Sequence, residues 1–268
     1  MRKNAWVICC CTAVLAAFGT FFRWLQDQVC FEAETGLAVR GSIWPYAVAL
    51  MIIIAAVVLA VVCFRMKNQP HTSFPDSLPA AFAAAPRVRT IGGVVLGALL
   101  AVGGAWLMIS SGTLSSPGLQ RVLAVLAIVT GAAFARQMLA PGDAEATSGA
   151  VVCASMPIVL LAFWLIVSYK VNIINPTISA YAVEILALCA ALIAFYQLAG
   201  FAYGRPKAIK SIFWSQFAAF LCITALPDDR AGGQQLMLAA VAGILVFQSY
   251  LTASNIRPAV SGPVGGAQ

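Results

Sequence analysis

Apolar residues in this chain neither alternate with polar ones nor keep to one helical stripe. They come in nearly unbroken runs of about twenty, separated by short stretches where charges, prolines and glycines collect. At a rise of about 1.5 Å per residue, such a run spans about 30 Å, the thickness of a bilayer's hydrocarbon core. Lipid offers the backbone no hydrogen-bond partners, so each run must satisfy its own as a helix. Eight runs meet this description: residues 5–22, 43–64, 91–110, 119–139, 150–169, 178–203, 210–226 and 235–254. The expected fold is therefore all-α, a single polytopic transmembrane helical bundle of about eight spans over residues 1–254. Tyr46-Ala47-Val48 and Tyr181-Ala182-Val183 open the second and sixth runs, which suggests a weak four-plus-four repeat with parallel halves. The first run follows Met1-Arg2-Lys3-Asn4 in the manner of a signal peptide or signal anchor. No small-x-small cleavage site follows it, so it is expected to be retained.

Composition agrees with this pattern. The chain is 62% hydrophobic and 9% charged, with a mean hydropathy of +0.92. A soluble domain is about a quarter charged, so this chain lacks the charge to cover a surface facing water. The net charge of +7 then reads as topology and not as affinity for nucleic acid. If the N-terminus is cytoplasmic, Arg2, Lys3, Arg65, Lys67, Arg87, Arg89, Arg136, Arg205, Lys207, Lys210 and Arg257 share that side. Arg23, Arg40, Arg121, Lys170 and Arg230 face outward. Eleven against five favours a cell-membrane protein with both termini in the cytoplasm. The outer loops hold Asp27, Glu32, Glu34, Asp228 and Asp229. Residues 65–90 form a cytoplasmic linker in which Pro70, Pro75, Pro79 and Pro86 forbid one continuous helix. Residues 255–268 are expected to be a disordered tail.

Helices in lipid associate by close approach of small residues. The third run carries Gly93, Gly97 and Ala101 at four-residue spacing, and the fourth carries Ala127, Gly131 and Ala135. A short loop joins the two, so these ridges are expected to face each other. Cys9, Cys10, Cys11, Cys63, Cys153, Cys189 and Cys222 lie within apolar runs, where cysteine acts as a small hydrophobe. The six tryptophans fall mostly near span ends, where interfacial anchoring explains them.

Glu184 is the one acid inside a run. It lies about 9 Å along its helix from Ile178, on the face of Tyr181, Ala187 and Ala191. An unpaired charge in lipid would cost about 2.5–3.5 kcal/mol or more. The acid must therefore be protonated, paired, or in contact with water. Arg121, Lys170 and Arg23 are candidate partners at similar depth, with Arg121 favoured because it lies just inside the fourth run. Glu184, Tyr181 and Arg121 thus form a candidate intramembrane polar site, either a titrating group for transport or a structural ion pair. Gln197, Gln216 and Gln248 occupy the inner halves of the last three runs, with Arg136 approaching from the fourth. They form a candidate inner polar cluster, read either as interhelical hydrogen bonding or as a pocket lining.

Several chemistries lack their residues. His71 is the single histidine and sits in the linker, which leaves neither a zinc pair nor a Ser–His dyad. The chain contains no phosphate-binding glycine loop, and aspartyl chemistry would need two buried acids. An enzyme is not expected, and neither a cofactor nor a metal site is. The expected partners are the lipid bilayer and either another membrane protein or a second copy of this chain.

The region from about Tyr181 to Asp229, especially LAGFAYGRPK followed by SIFWSQFAAFLCITALPDD, resembles uncharacterised multi-pass membrane proteins of Gram-positive, clostridia-like bacteria. The resemblance implies a bacterial cell membrane as the compartment and carries no activity. Two functional readings follow from the residues: a membrane-embedded binding, accessory or scaffold subunit, and a small-solute or proton-linked permease using Glu184 and the glutamines.

Overall fold

The computed structural model describes residues 2–30, 41–68, 72–83, 86–139, 148–173 and 178–258. Glu32, Glu34, Arg40, His71 and the tail residues 259–268 lie outside the described residues.

The protein is an all-α bundle. Its elements are α1 (Arg2–Val29), α2 (Trp44–Lys67), a strand β1 (Thr72–Ser73), a single turn α3 (Leu78–Ala81), α4 (Pro86–Ser110), a 3₁₀ turn (Ser111–Thr113), α5 (Pro117–Leu139), α6 (Ser148–Asn172), α7 (Ile178–Ala202), α8 (Ala208–Thr224), α9 (Gly232–Ser254) and a strand β2 (Arg257–Pro258). Seven of the helices are long and apolar enough to cross a membrane, and α8 is a shorter apolar helix of 17 residues. The chain is a membrane protein built from these helices.

Helix limits follow local chemistry. Pro86 and Pro117 open α4 and α5, where a proline gives up no intrahelical hydrogen bond. In the linker, Ser77 accepts a bond from the Ala80 amide (3.4 Å) and caps the single turn α3. The first helix extends two turns beyond the expected 5–22, to Val29. Its added residues include Arg23, Gln26 and Asp27, and the first two are fully buried against other elements.

The helices alternate in direction. The C-terminal end of α1 meets the C-terminal end of α8, where Thr20 Oγ1 donates to the Ile223 carbonyl (3.1 Å). At the other end, Trp6 of α1 packs edge-on against Tyr250 of α9, with ring centroids 5.6 Å apart. Gln234 at the start of α9 donates to Gln120 at the start of α5 (3.0 Å). The start of α1 and the end of α9 therefore lie at the same end of the bundle. Among the described residues, that terminal end carries Arg65, Lys67, Arg87, Arg89, Arg136, Arg205, Lys207 and Lys210, with Asp76 as its one acid.

The centre belongs to α8 and α9. In α9, 67% of the apolar window is buried inside the protein, against 28% in α1 and in α2. Helix α8 packs against α1, α2, α7 and α9. Enclosed by protein, it has little need of a length matched to lipid. The packing does not divide into two equivalent halves. Among the described contacts, α1 and α2 dock on α8, while α4 and α5 join the rest through α9 and α6.

Small residues set the closest approaches. A Cβ added at Gly97 would lie 2.5 Å from the Gly131 carbonyl oxygen and 3.1 Å from Ala135 Cβ. One added at Gly131 would strike the Gly97 carbonyl and lie 3.3 Å from Ala101 Cβ. Gly93 presses on Met138, and a Cβ at Gly104 would come within 3.0 Å of Ala127 Cβ. The two ridges thus face each other along α4 and α5. Helix α4 has a second small face toward α9, where a Cβ at Gly233 would sit 2.6 Å from the Leu107 nitrogen. Trp164 departs from the interfacial pattern. It is 1% exposed, packed inside the bundle and not anchored at its edge.

Replacing Gly97 or Gly131 with Ala should lower the thermal midpoint in detergent by an amount equivalent to about 1–3 kcal/mol, because backbone atoms block the new methyl. Gly112→Ala, where nothing lies within 4 Å, should leave it unchanged. For topology, protease-sensitive tags at the two termini should be cut from the same side of a sealed vesicle. A tag inserted at Gly112 should be cut from the opposite side.

Candidate functional site

The end of the bundle opposite the termini holds the one concentration of buried charge among the described residues. It begins where α8 stops. Pro227 has no amide hydrogen to continue the helix, and the Asp228 amide turns back onto the Ala225 carbonyl (3.4 Å). The chain then passes through Asp229 and Arg230 and enters α9 at Gly232-Gly233. The contact of Gly233 with α4 lets α9 start against the bundle, which brings Arg230 back over its interior.

Asp228 is the hub. Its Oδ1 accepts from Arg23 Nε of α1 (2.6 Å), and its Oδ2 accepts from Arg230 Nη2 (2.5 Å). Arg230 Nε then donates to Glu184 Oε2 of α7 (3.2 Å). Arg23 Nη1 donates to Gln26 Oε1 (3.0 Å), and Asp27 Oδ1 lies 3.8 Å from Arg23 Nε, beyond hydrogen-bond range. Gln235 Nε2 holds the Asp228 carbonyl (3.2 Å) and fixes the turn. Arg23, Asp228, Arg230 and Glu184 form one continuous chain of charge-assisted bonds linking α1, the α8–α9 turn and α7. Their side chains are between 1% and 9% exposed. Ionic groups in so dry a setting persist only when paired.

A cavity of about 430 Å³ opens beside this chain at the bundle end. Arg23, Asp27, Glu184, Asp228, Asp229 and Arg230 line it, together with Tyr181, Asn172, Gln28 and Pro227. Arg230 Nη1 is buried and has no hydrogen-bond partner among the described residues. Among the described residues, the carboxylates do not gather into a metal-binding group.

The structure brings together part of what the sequence suggested. Glu184 and Tyr181 both line the cavity. Arg121 does not join them. It is exposed, and its Nε donates to Ser111 Oγ (3.3 Å) in the α4–α5 connection, so its reach is spent on its own hairpin. Arg230 takes the place given to Arg121, and Lys170 is exposed. Arg230 escaped a search confined to helix ends because it reaches Glu184 from a turn. The signal was the run Asp228-Asp229-Arg230 in a chain so poor in charge.

The inner cluster is narrower than expected. Gln216 is fully buried, and its Nε2 donates to Ser249 Oγ of α9 (2.5 Å) and to Cys9 Sγ of α1 (3.4 Å). Gln248 is buried on α9, and its Oε1 lacks a partner. Gln197 is half-buried, whereas Arg136 is exposed near Gly149 at the start of α6 and does not approach the glutamines. Gln216 therefore ties α8 to α1 and α9 as an interhelical hydrogen bond.

No family model matches the chain, and no curated protein and no solved structure is similar to it.

Removing one member of the ion chain should be costly. Arg230→Gln should destabilise the protein by about 3–5 kcal/mol, because it strands Glu184 and one oxygen of Asp228. Adding Glu184→Gln should recover part of that loss in a double-mutant cycle followed by thermal unfolding. Arg121→Gln should stay within about 0.5 kcal/mol, as expected of an exposed pair.

Proposed function

We propose that the protein is a membrane-embedded binding or accessory subunit of a cell membrane, and that the ion-paired cavity is its receptor site. The observation that carries this reading is what lies beneath the cavity. Along α8, Ala218, Ala219, Phe220, Leu221 and Cys222 are each 0% exposed inside the bundle, and none of them is among the residues that line the cavity. The buried glutamine of α8 lies a further half-turn down, about 12 Å along the helix from Thr224. The cavity is lined only by residues of the end opposite the termini. A vestibule with a packed floor captures something; a conduit would need polar groups at every depth. This reading includes no catalytic step.

The excess of basic residues at the terminal end supports a cytoplasmic position for both termini, which turns the cavity outward. The resemblance of the region from about Tyr181 to Asp229 to uncharacterised Gram-positive membrane proteins supports a bacterial cell membrane. Partners in the plane of the membrane, whether another protein or a second copy, fit an accessory role.

One observation favours the second reading, a proton-linked permease: Glu184, a carboxylate within a span, is part of the cavity wall. Reconstitution into proteoliposomes separates the two. The purified protein should give no solute-driven or proton flux above empty vesicles, and Glu184→Gln should change only its thermal midpoint. A flux that Glu184→Gln abolishes would establish the permease.

A further inference from the structure

We infer that residues 72–83 are a strap across the terminal end of the bundle, clasped by the residues that follow α9, and that it opens as one unit while the membrane helices stay packed. The strap lies at the end opposite the cavity and owes nothing to what the cavity binds.

The strap cannot hold its shape alone. It consists of β1, a short connection and the single turn α3, and Pro75 and Pro79 deprive it of two amide donors. A helix of four residues is far below the length that is stable by itself. Its own bonds only close the turn, from the Ala81 amide to the Ser77 carbonyl (2.9 Å) and from the Phe82 amide to the Leu78 carbonyl (3.2 Å). The carbonyls at the end of such a turn find no partner within it. Two other elements supply the donors. Asn255, just past α9, donates through Nδ2 to the Ala81 carbonyl (2.7 Å), and Arg89 of α4 donates through Nη1 to the Phe82 carbonyl (3.3 Å). Next to Asn255, β2 pairs antiparallel with β1, Ser73 opposite Arg257 and Thr72 opposite Pro258.

Apolar contacts seat the strap from the other side. Leu78 packs on a patch made by Ala154 of α6 and Ala199 and Ala202 of α7. Ala81 and Phe82 are buried in the main core. Asn255 is itself buried and also donates to the Leu251 carbonyl (3.0 Å), so the clasp is anchored on α9. The strap therefore touches α4, α6, α7 and the end of α9, but the ladder and the Asn255 bond fasten it to one four-residue segment, 255–258. Its folding depends on its docking, so turn, ladder and apolar seat are lost together. On release its backbone groups can turn to water, which those of a span cannot do. Segments fastened in this way open at lower free energy than the core around them. Opening uncovers the alanine patch and the Asn255 amide, and the position of residues 255–258 sets whether they are covered.

Hydrogen exchange followed by mass spectrometry, on full-length protein in nanodiscs, tests this. In the parent, residues 73–83 should exchange as one group and faster than α8 and α9. Asn255→Ala should speed that group about tenfold, the loss of one shielded hydrogen bond. The spans should keep their exchange rates, and the thermal midpoint should stay within about 2 °C of the parent. Leu78→Ser, which loosens the opposite side, should speed the same residues. Ser254→Ala, whose hydroxyl donates to the Leu251 carbonyl of its own helix, should change neither measurement. Exchange of 73–83 in step with α8 and α9 in the parent would overturn the strap, and so would an unchanged rate in Asn255→Ala. An increase confined to the residues beside each substitution would show that the segment is not one unit. An increase spread through the spans with a lowered midpoint, or an Asn255→Ala protein that does not assemble, would make the contact part of the bundle and not a clasp.

Discussion

Asp228 holds two arginines with two different oxygens, and the upper half of the bundle is arranged around that fact. Arg23 arrives from the first helix and Arg230 from the turn that precedes the last one. Neither guanidinium is tolerable in a dry protein interior without a carboxylate. Asp228 lies between them because Pro227 ends α8 at that point and Gln235 holds the turn. Glu184 extends the chain of charge into α7. Three segments far apart in sequence are joined through this chain of charge, and the cavity is the space beside that junction.

Below this level the protein relies on contact. Glycines let α4 approach α5 on one face and α9 on the other, so α4 serves as a shared wall. Dispersion and backbone proximity do in lipid what the hydrophobic effect does in water. One polar bond, from Gln216 to Ser249 with Cys9 beside it, fixes the register of α8 against its neighbours. The result is asymmetric. The end bearing Glu184 is polar and hollow, whereas the middle is apolar and packed.

Much of this was legible in the sequence. Unbroken apolar runs mark helices directly, because lipid removes the alternatives. The glycine spacing in 93–101 and 127–135 marked a contact, since small residues four apart line one face. The presence of a constrained acid at 184 was also legible, because an acid within an apolar run demands an explanation. Its partner was not. Depth along a helix ranked Arg121 first, but lateral position in the bundle decides which guanidinium arrives, and that is a property of tertiary packing. Arg230 lies in a turn, where a search by spans does not look. The reach of α1 beyond residue 22 was hidden for a related reason. Arg23 reads as the outer end of its helix, and Gln26 and Asp27 as outer loop, until the partner of Arg23 on the far side of the fold is seen.

The separation of Arg23 from Asp228 along the chain, 205 residues, bears on biogenesis. Asp228, which accepts from Arg23 Nε, is translated only after all the helices through α8, whereas Gln26 and Asp27 stand beside Arg23 on its own helix from the start. The terminal end closes on a similar delay, for Asn255 Nδ2 reaches back to the Ala81 carbonyl (2.7 Å) and β2 pairs with β1. The order of synthesis thus makes the last helix the keystone: it arrives together with the groups that lock both ends, and a chain interrupted before it meets the quality-control machinery with neither end fastened.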